Sequence, residues 1–331
     1  MSTEDFLISN NWETEDGVVK TSSHPSYWNL LPPDEMETFL KEVKAKSWKT
    51  AINSSNNPKI KNQYLFTDCP SRADGTLYLS LTKESRVLDL GSGWGSYTFA
   101  LSPKVKEIVA ADSSLESLKF ISLRAKEEDR KNLSTVQIDP LDYGKLPFKD
   151  NSFDAVILNG VLEWVGSYLK AGDPLKIQNK CLKEINRILK PGGELWIGIE
   201  NRFGLRYFLG AGDDHLKYYT EKKIAYTTIV PRIIASFITQ KEIKMPYRTY
   251  THSLPGLERL LKRSGFEELN FYYPESDYRA DSTKIIPLNS KEVSRSIKNR
   301  IPKNSWLGIF PLFGLEKALC DSYFVSARKR R

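Results

Sequence analysis

Apolar positions along this 331-residue chain change their spacing near residue 85. Ahead of that point the sequence is polar and interrupted by Pro25, Pro32, Pro33 and Pro58. Within it Met36, Phe39, Leu40 and Val43 fall on one helical face, which predicts a helix capped by Asp34 and reaching about Ser47. Beyond it, short apolar runs at 86–90, 107–111, 135–138, 153–158 and 194–199 alternate with helical stretches at 96–101, 115–126 and 175–189. Strands and helices alternating at this spacing predict a parallel sheet covered on both faces. Pro191-Gly192-Gly193 is expected to stop the last of these helices.

The alternation lapses after Glu200, where an apolar-leaning stretch at 224–238 is broken by Pro231 and Arg232. It resumes with a helix at 255–263 and strand-like runs at 268–273 and 321–328. The simplest organisation is one doubly wound domain with an N-terminal extension or lid (1–80), a core (81–200), a cap insertion (201–253) and a C-terminal part (254–331).

Composition supports a packed core: 40% of residues are hydrophobic, 27% charged and 11% aromatic, which argues against disorder. No apolar run reaches the roughly 18 residues of a membrane span. The N-terminus is acidic where a signal peptide would be basic, so the chain reads as soluble and cytoplasmic. Cys69, Cys181 and Cys320 are too few and too scattered for a disulfide scaffold or a cysteine-built zinc site. The net charge is +8, and most of it lies in 281–331, where eleven basic side chains face four acidic ones. A fold-wide face for nucleic acid is therefore not indicated. A solvated, frayed tail at Arg328-Lys329-Arg330-Arg331 is the bland expectation. Peripheral contact of 281–331 with an anionic membrane surface or substrate is the alternative, and burial of the apolar run 306–313 between the last two strands is its plainer counterpart.

The most informative segment is Val87-Leu88-Asp89-Leu90-Gly91-Ser92-Gly93-Trp94-Gly95. A strand leads into a turn whose glycines let a ligand approach the backbone, and the following helix presents free N–H groups. The spacing is Gly-x-Gly-x-Gly; Ser96 stands where a dinucleotide fingerprint needs its third glycine, and no Gly-Lys-Ser/Thr follows. Asp112 closes the next strand, where a carboxylate can accept from both ribose hydroxyls.

With these motifs, residues 85–200 resemble the class I S-adenosylmethionine-dependent methyltransferases. Leu146-Pro147-Phe148 leading to Asn151-Ser152-Phe153-Asp154, and Lys190-Pro191-Gly192-Gly193-Glu194-Leu195, resemble later motifs of that family in the right order. The resemblance implies a Rossmann-like, mostly parallel seven-stranded sheet with an antiparallel last strand, and S-adenosylmethionine as cofactor. The binding set it implies is Asp89, Gly91, Ser92, Gly93, Gly95, Asp112, Ser113, Asp139, Pro140, Leu141, Asn159 and Gly160. Asp89 would lie near the methionine part, Asp112 at the ribose and Asp139 at the adenine. Pro140 departs from the family because it has no N–H to give the ring. Either Leu141 takes that role after a local kink, or the adenine acid is Asp142. Trp164 stands where many relatives carry histidine, and it suits stacking better than proton transfer.

The acceptor site should be built by loops leaving the carboxyl ends of the strands. Gly210-Ala211-Gly212-Asp213-Asp214-His215 offers an imidazole beside carboxylates, suited to deprotonating a hydroxyl, with Asp214 and His215 as the catalytic pair. A metal site or a solvated loop are the other readings of that motif, and His252 is a second candidate base. His24 is expected at the surface or on a lid. Trp164, Asn201, Arg202, Arg206, Asp213 and Tyr218 are the candidate acceptor contacts, the arginines through bidentate pairing with an acidic group or as structural ion pairs. Asn159 to Gly166, Glu200 to Gly204 and the Gly-Asp-Asp-His loop resemble methyltransferases encoded with bacterial surface-polysaccharide enzymes. That resemblance implies O-methylation of a glycan, a glycan precursor or another small molecule, with residues 281–331 then expected to touch a glycan-assembly partner at the membrane. A non-catalytic cofactor-binding regulator and an RNA methyltransferase are the alternatives. Against the latter, residues 1–280 are nearly neutral and no Asn-Pro-Pro-Tyr-like signature follows the fourth strand.

Overall fold

The computed structural model describes residues 6–9, 12–22, 24, 31–169, 171–275, 277–279 and 284–331. Among the described residues ten strands form one sheet: β1 (Glu13–Glu15), β2 (Val18–Lys20), β3 (Arg86–Leu90), β4 (Glu107–Asp112), β5 (Leu133–Gln137), β6 (Phe153–Asn159), β7 (Leu189–Glu200), β8 (Phe266–Glu275), β9 (Lys284–Pro287) and β10 (Ser322–Lys329). Their order is β1-β2-β5-β4-β3-β6-β7-β10-β8-β9. The run from β5 to β7 is parallel, and β10 is antiparallel to both of its neighbours. The order reverses beside β3, so the carboxyl ends of β3 and β4 open a crevice there.

Period-two alternation assigns each strand residue to a face. Leu88, Val109, Val156 and Ile197 join one buried layer with α6 (Pro174–Ile188) and α9 (Leu254–Arg263). Val87, Ile108, Ala155 and Trp196 join the other with α4 (Ser96–Leu101) and the 3₁₀ segment Pro70–Tyr78. Gly198 breaks this pattern on β7 for a reason of space. A Cβ there would lie 1.9 Å from Asn159 Oδ1 and 2.8 Å from the Tyr278 ring.

The N-terminal extension is packed against the core. Helices α1 (Pro33–Ala45), α2 (Trp48–Ser54) and α3 (Pro58–Thr67) lie over α5 (Leu115–Glu127). Phe39 stacks on Trp94 of the glycine turn at 5.3 Å between centroids, and Trp94 stacks on Phe120 at 4.5 Å. Burying each such aromatic stabilises the junction by roughly 1.5–3 kcal/mol. Arg124 lies between the Trp48 and Phe99 rings at 4.0 and 3.8 Å and donates to Thr67 O.

Several local expectations need correction. The first helix starts at Pro33 with Pro32 as N-cap, so Asp34 is in the first turn and makes no cap; the fixed φ of proline is already that of a first helical residue. Helix α6 ends at Ile188, and Pro191-Gly192-Gly193 lies inside β7, where the register with β6 shifts. Pro231 is an N-cap: α8 (Arg232–Ile243) follows it, leaving Ile233 and Phe237 exposed. Of the basic C-terminus, Arg328 and Lys329 lie in β10, with Arg328 paired to Glu194 and Glu268, while Arg330 and Arg331 are exposed beyond it and Arg330 pairs with Glu267. The apolar run 306–313 is not packed away between the last strands: Trp306, Ile309, Leu312 and Phe313 are exposed, although Leu307 is buried. No helix among the described residues is long and apolar enough to cross a membrane.

Candidate active site

All three glycines of the turn have left-handed backbones, with φ of +76° at Gly91, +53° at Gly93 and +83° at Gly95. Their reasons differ. A Cβ on Gly91 would meet Val161 at 2.3 Å, and one on Gly95 would meet Phe99 at 3.0 Å, whereas the space around Gly93 is open. Asp112 pins this open turn: its carboxylate accepts the Gly93 N–H at 2.8 Å and the Ser114 N–H at 2.9 Å. Asp89 lies beneath, fully buried, accepting from the Thr98 hydroxyl. Burial, with the nearby Asp112 charge, raises its carboxyl to about 6 against the pull of that hydrogen bond.

These features fit S-adenosylmethionine. The empty volume over Gly93 is what a side chain would fill, and the buried Ser92 hydroxyl beside it has no partner. Asp112 would hold the ribose, with Ser113 next to it. Ile138 N–H bonds Asp112 O, so Asp139 leaves the sheet beside that carboxylate. Asp139 accepts the Leu141 N–H at 2.8 Å and faces His24 Nδ1 at 3.0 Å. The Leu141 donor is therefore already spent, Pro140 is buried, and Asp142 is exposed and turned toward Gly144.

Next to this crevice lies a cavity of about 270 Å³. Asn159, Gly160 and Trp164 approach it from the end of β6, Glu200 from the end of β7, and Asp214 and His215 from the cap. Arg72 of the 3₁₀ segment and Tyr278 and Arg279 of the C-terminal part complete it. The Asn159 amide oxygen accepts from Tyr97, and Gly160 adopts φ of +71° against the Tyr278 ring.

The walls are a dense charge network. His215 Nδ1 is 2.8 Å from Asp213 Oδ1, and its ring lies 3.9 Å from Glu200 and from Glu163. Asp213 also accepts from Tyr247, Glu163 from Tyr278, and Glu200 from Tyr207. Arg206 pairs with Glu200 at 3.0 Å and Asp214 at 3.3 Å; Arg279 reaches the same two acids at 3.2 and 3.0 Å. Burial opposes a charge on His215, but Glu200 and Asp213 outweigh it and hold the imidazole well above its usual range. Burial acts against Asp214 too, yet Lys217 and Arg279 keep its carboxyl down at about 2. The ring expected to act as a base is thus a cation at neutral pH.

Other candidates lie elsewhere. His252 is buried behind this wall, 2.8 Å from Gln178 Oε1, and burial with the Arg232 and Arg202 charges lowers it to about 3. Asn201 ties the end of β7 to Ala318 O and Cys320 O, both at 2.6 Å. Arg202 donates to Thr228 O and Val230 O, away from the cavity. The Tyr218 side chain lies outside the described residues. Sequence reasoning missed Arg72, Glu163, Glu200, Tyr207, Tyr278 and Arg279 as site residues. Of these, only Glu163 and Glu200, next to recognised motifs, carried a signal. Among the described residues no group of three or more His, Cys, Asp or Glu is arranged to hold a metal.

Residues 88–197 match the methyltransferase domain family. Demethylmenaquinone methyltransferase of Staphylococcus carnosus (strain TM300) is 36% identical over 118 residues, 35% of this chain and 43% of that one. The Staphylococcus aureus (strain JH9) protein of the same name is 30% identical over 197 residues, 58% of this chain and 70% of that one. This chain belongs to the class I S-adenosylmethionine-dependent methyltransferases. It spans less than half of the first of those relatives. Among solved structures, Haemonchus contortus phosphoethanolamine N-methyltransferase 2 in complex with S-adenosyl-L-methionine is 18% identical, covering 88% of this chain and 60% of that one with a TM-score of 0.43. A likeness at that level adds nothing to what the strand order shows. The methyltransferase is therefore assigned on its sequence relatives, its glycine turn and its sheet.

Proposed function

We propose that this methyltransferase modifies an oxygen of a polar, hydroxyl-bearing acceptor of the glycan type. The observation that carries this is the lining of the cavity: the aromatic rings of Trp164 and Tyr278 among Asn159, Glu200, Asp214 and Arg279. Sugars bind through such a stacking face plus paired donors and acceptors. S-adenosylmethionine supplies a methyl group on a sulfonium that is already electrophilic. The chain's own residues have to align the acceptor, exclude water and take its proton. Trp164 and Arg279 orient the acceptor. Glu200 lines the cavity and takes the hydroxyl proton, while Tyr207, Arg206 and Arg279 fix its two oxygens. The His215 imidazolium offsets the carboxylates packed around it and holds them together as a positioning residue.

A second reading comes from the relatives, whose name specifies a quinone acceptor. A prenylated quinone asks for an apolar tunnel, and the cavity walls here are mostly charged. Peripheral membrane contact belongs to the glycan reading as well, since Trp306, Ile309, Leu312 and Phe313 are exposed beside the exposed Lys298 and Lys303. Label from the cofactor, offered to separate pools of nucleotide sugars, glycolipids, demethylated quinones, RNA and peptides, tests both readings. Transfer to a sugar hydroxyl is expected; label confined to the quinone pool would establish the second reading, and label in RNA or peptide alone would refute both.

A further inference from the structure

A second cavity, about 1030 Å³, opens between α6, α9 and the start of α8. Its rim carries Lys176, Lys180 and Lys183 on one side and Arg259 and Arg263 on the other, with Arg202 and Arg232 at its floor. The one carboxylate among its described lining residues, Asp173, is the exposed N-cap of α6 and accepts the Leu175 N–H at 3.0 Å. None of the seven cations forms an ion pair among the described residues.

The floor is built, not merely basic. Arg202 is held by the carbonyls of Thr228 and Val230. Arg232 is held by Thr251 O at 3.3 Å and by the Tyr250 ring at 3.7 Å. Carbonyls and a ring fix a guanidinium in place without cancelling its charge. Burial and the Arg232 and Arg202 charges disfavour the charged form of His252 beside them, and its Nε2 faces the Gln178 amide oxygen, whose N–H groups go to Leu162 O and Tyr250 O. Burial, and then the charge of Arg202, disfavours the charged form of Arg232. An anion seated between the two would remove that repulsion.

We propose that this groove is a binding site for a diphosphate-bearing ligand, separate from the methyl-transfer cavity. Paired guanidiniums match phosphoryl oxygens bidentately, and cations on two opposing helices suit more charge than one phosphate brings. Among its described lining residues the groove has no Phe, Tyr or Trp, and its one aromatic ring is the buried His252, so it lacks the stacking platform that single-stranded nucleic acid uses. It backs onto the acceptor wall, since Glu200 faces the cavity and Arg202 the groove. The site does not depend on which acceptor is methylated.

Calorimetric titration of the full chain with inorganic pyrophosphate at low salt tests it. Binding tighter than that of inorganic phosphate, weakened by added salt, is expected. The double variant Lys180→Glu, Arg259→Glu changes only exposed positions and should lose about tenfold or more in pyrophosphate affinity. Its affinity for S-adenosylhomocysteine should be unchanged, which verifies that it folds. Uridine diphosphate and a detergent-solubilised polyprenyl diphosphate then separate a nucleotide source from a lipid one. Absence of pyrophosphate binding, equal affinity in the double variant, or binding of an RNA oligonucleotide alone would overturn the proposal.

Discussion

The imidazole of His215 meets Asp213 at 2.8 Å and Glu200 at 3.9 Å through Nδ1, and Glu163 at 3.9 Å through Nε2. The ring is a charged hub that lets several acids share one buried space. Removing it would leave those acids facing one another in a low-dielectric site.

A pH dependence follows from that arrangement. The folded-state value for His215 is above 6.5, so its contribution to stability is fully present below pH 6.5 and is lost as pH rises through the elevated value. Asp213 is held below 3.8, against its burial, by the charge of His215; its contribution is present above pH 3.8 and fades on acidification through the lowered value. The melting-temperature deficit of His215→Gln should therefore be largest between those two limits and shrink in strong alkali. A deficit independent of alkaline pH would mean that the ring is neutral in the folded protein.

At the cofactor turn, Asp112→Ala removes the acceptor of two backbone N–H groups as well as the ribose ligand. Affinity for S-adenosylhomocysteine should fall by roughly 1.5–3 kcal/mol, the range for hydrogen bonds to a charged group. Gly93→Asn tests the open volume separately, because asparagine tolerates a left-handed backbone and would fill the space over the turn. Calorimetry should find cofactor binding lost with little change in melting temperature. Retained affinity would place the cofactor elsewhere.

Trp164→Ala should act on the acceptor alone. Loss of one stacking face costs about tenfold in kcat/KM, through KM, with cofactor affinity intact. If kcat falls and KM does not, Trp164 acts on the reacting geometry and is not a binding face.

Asp89 has the opposite sign to an ordinary paired carboxylate. Its folded value of about 6 exceeds the 3.8 of the free side chain, so stability falls as pH rises between those values. Asp89→Asn keeps an acceptor for Thr98 and removes the buried charge. Chemical denaturation above pH 6 should find the variant as stable as the natural chain or more so.

Sequence alone determined the central strands and the glycine turn of this protein. Strand periodicity, the glycine turn and Asp112 are local features: each is written within a few residues, because a buried parallel strand needs an apolar run and a left-handed turn needs glycine. The flanking strands β1, β2 and β9 are three or four residues long, too short for a pattern to emerge, and their pairing was settled by the sheet edge that received them. Proline marked a break at 231 and a stop at 191 in the sequence, yet the structure uses one to begin a helix and the other inside a strand, since proline restricts φ without choosing the element. The acceptor half was decided by tertiary structure. Arg72, Glu163, Glu200, His215, Tyr278 and Arg279 converge from separate segments of the chain, and no periodicity encodes that meeting. Its consequence is the charge state of His215: the residue was legible as an imidazole beside carboxylates, but whether it is a base or a cation depended on how many acids the fold would bring around it.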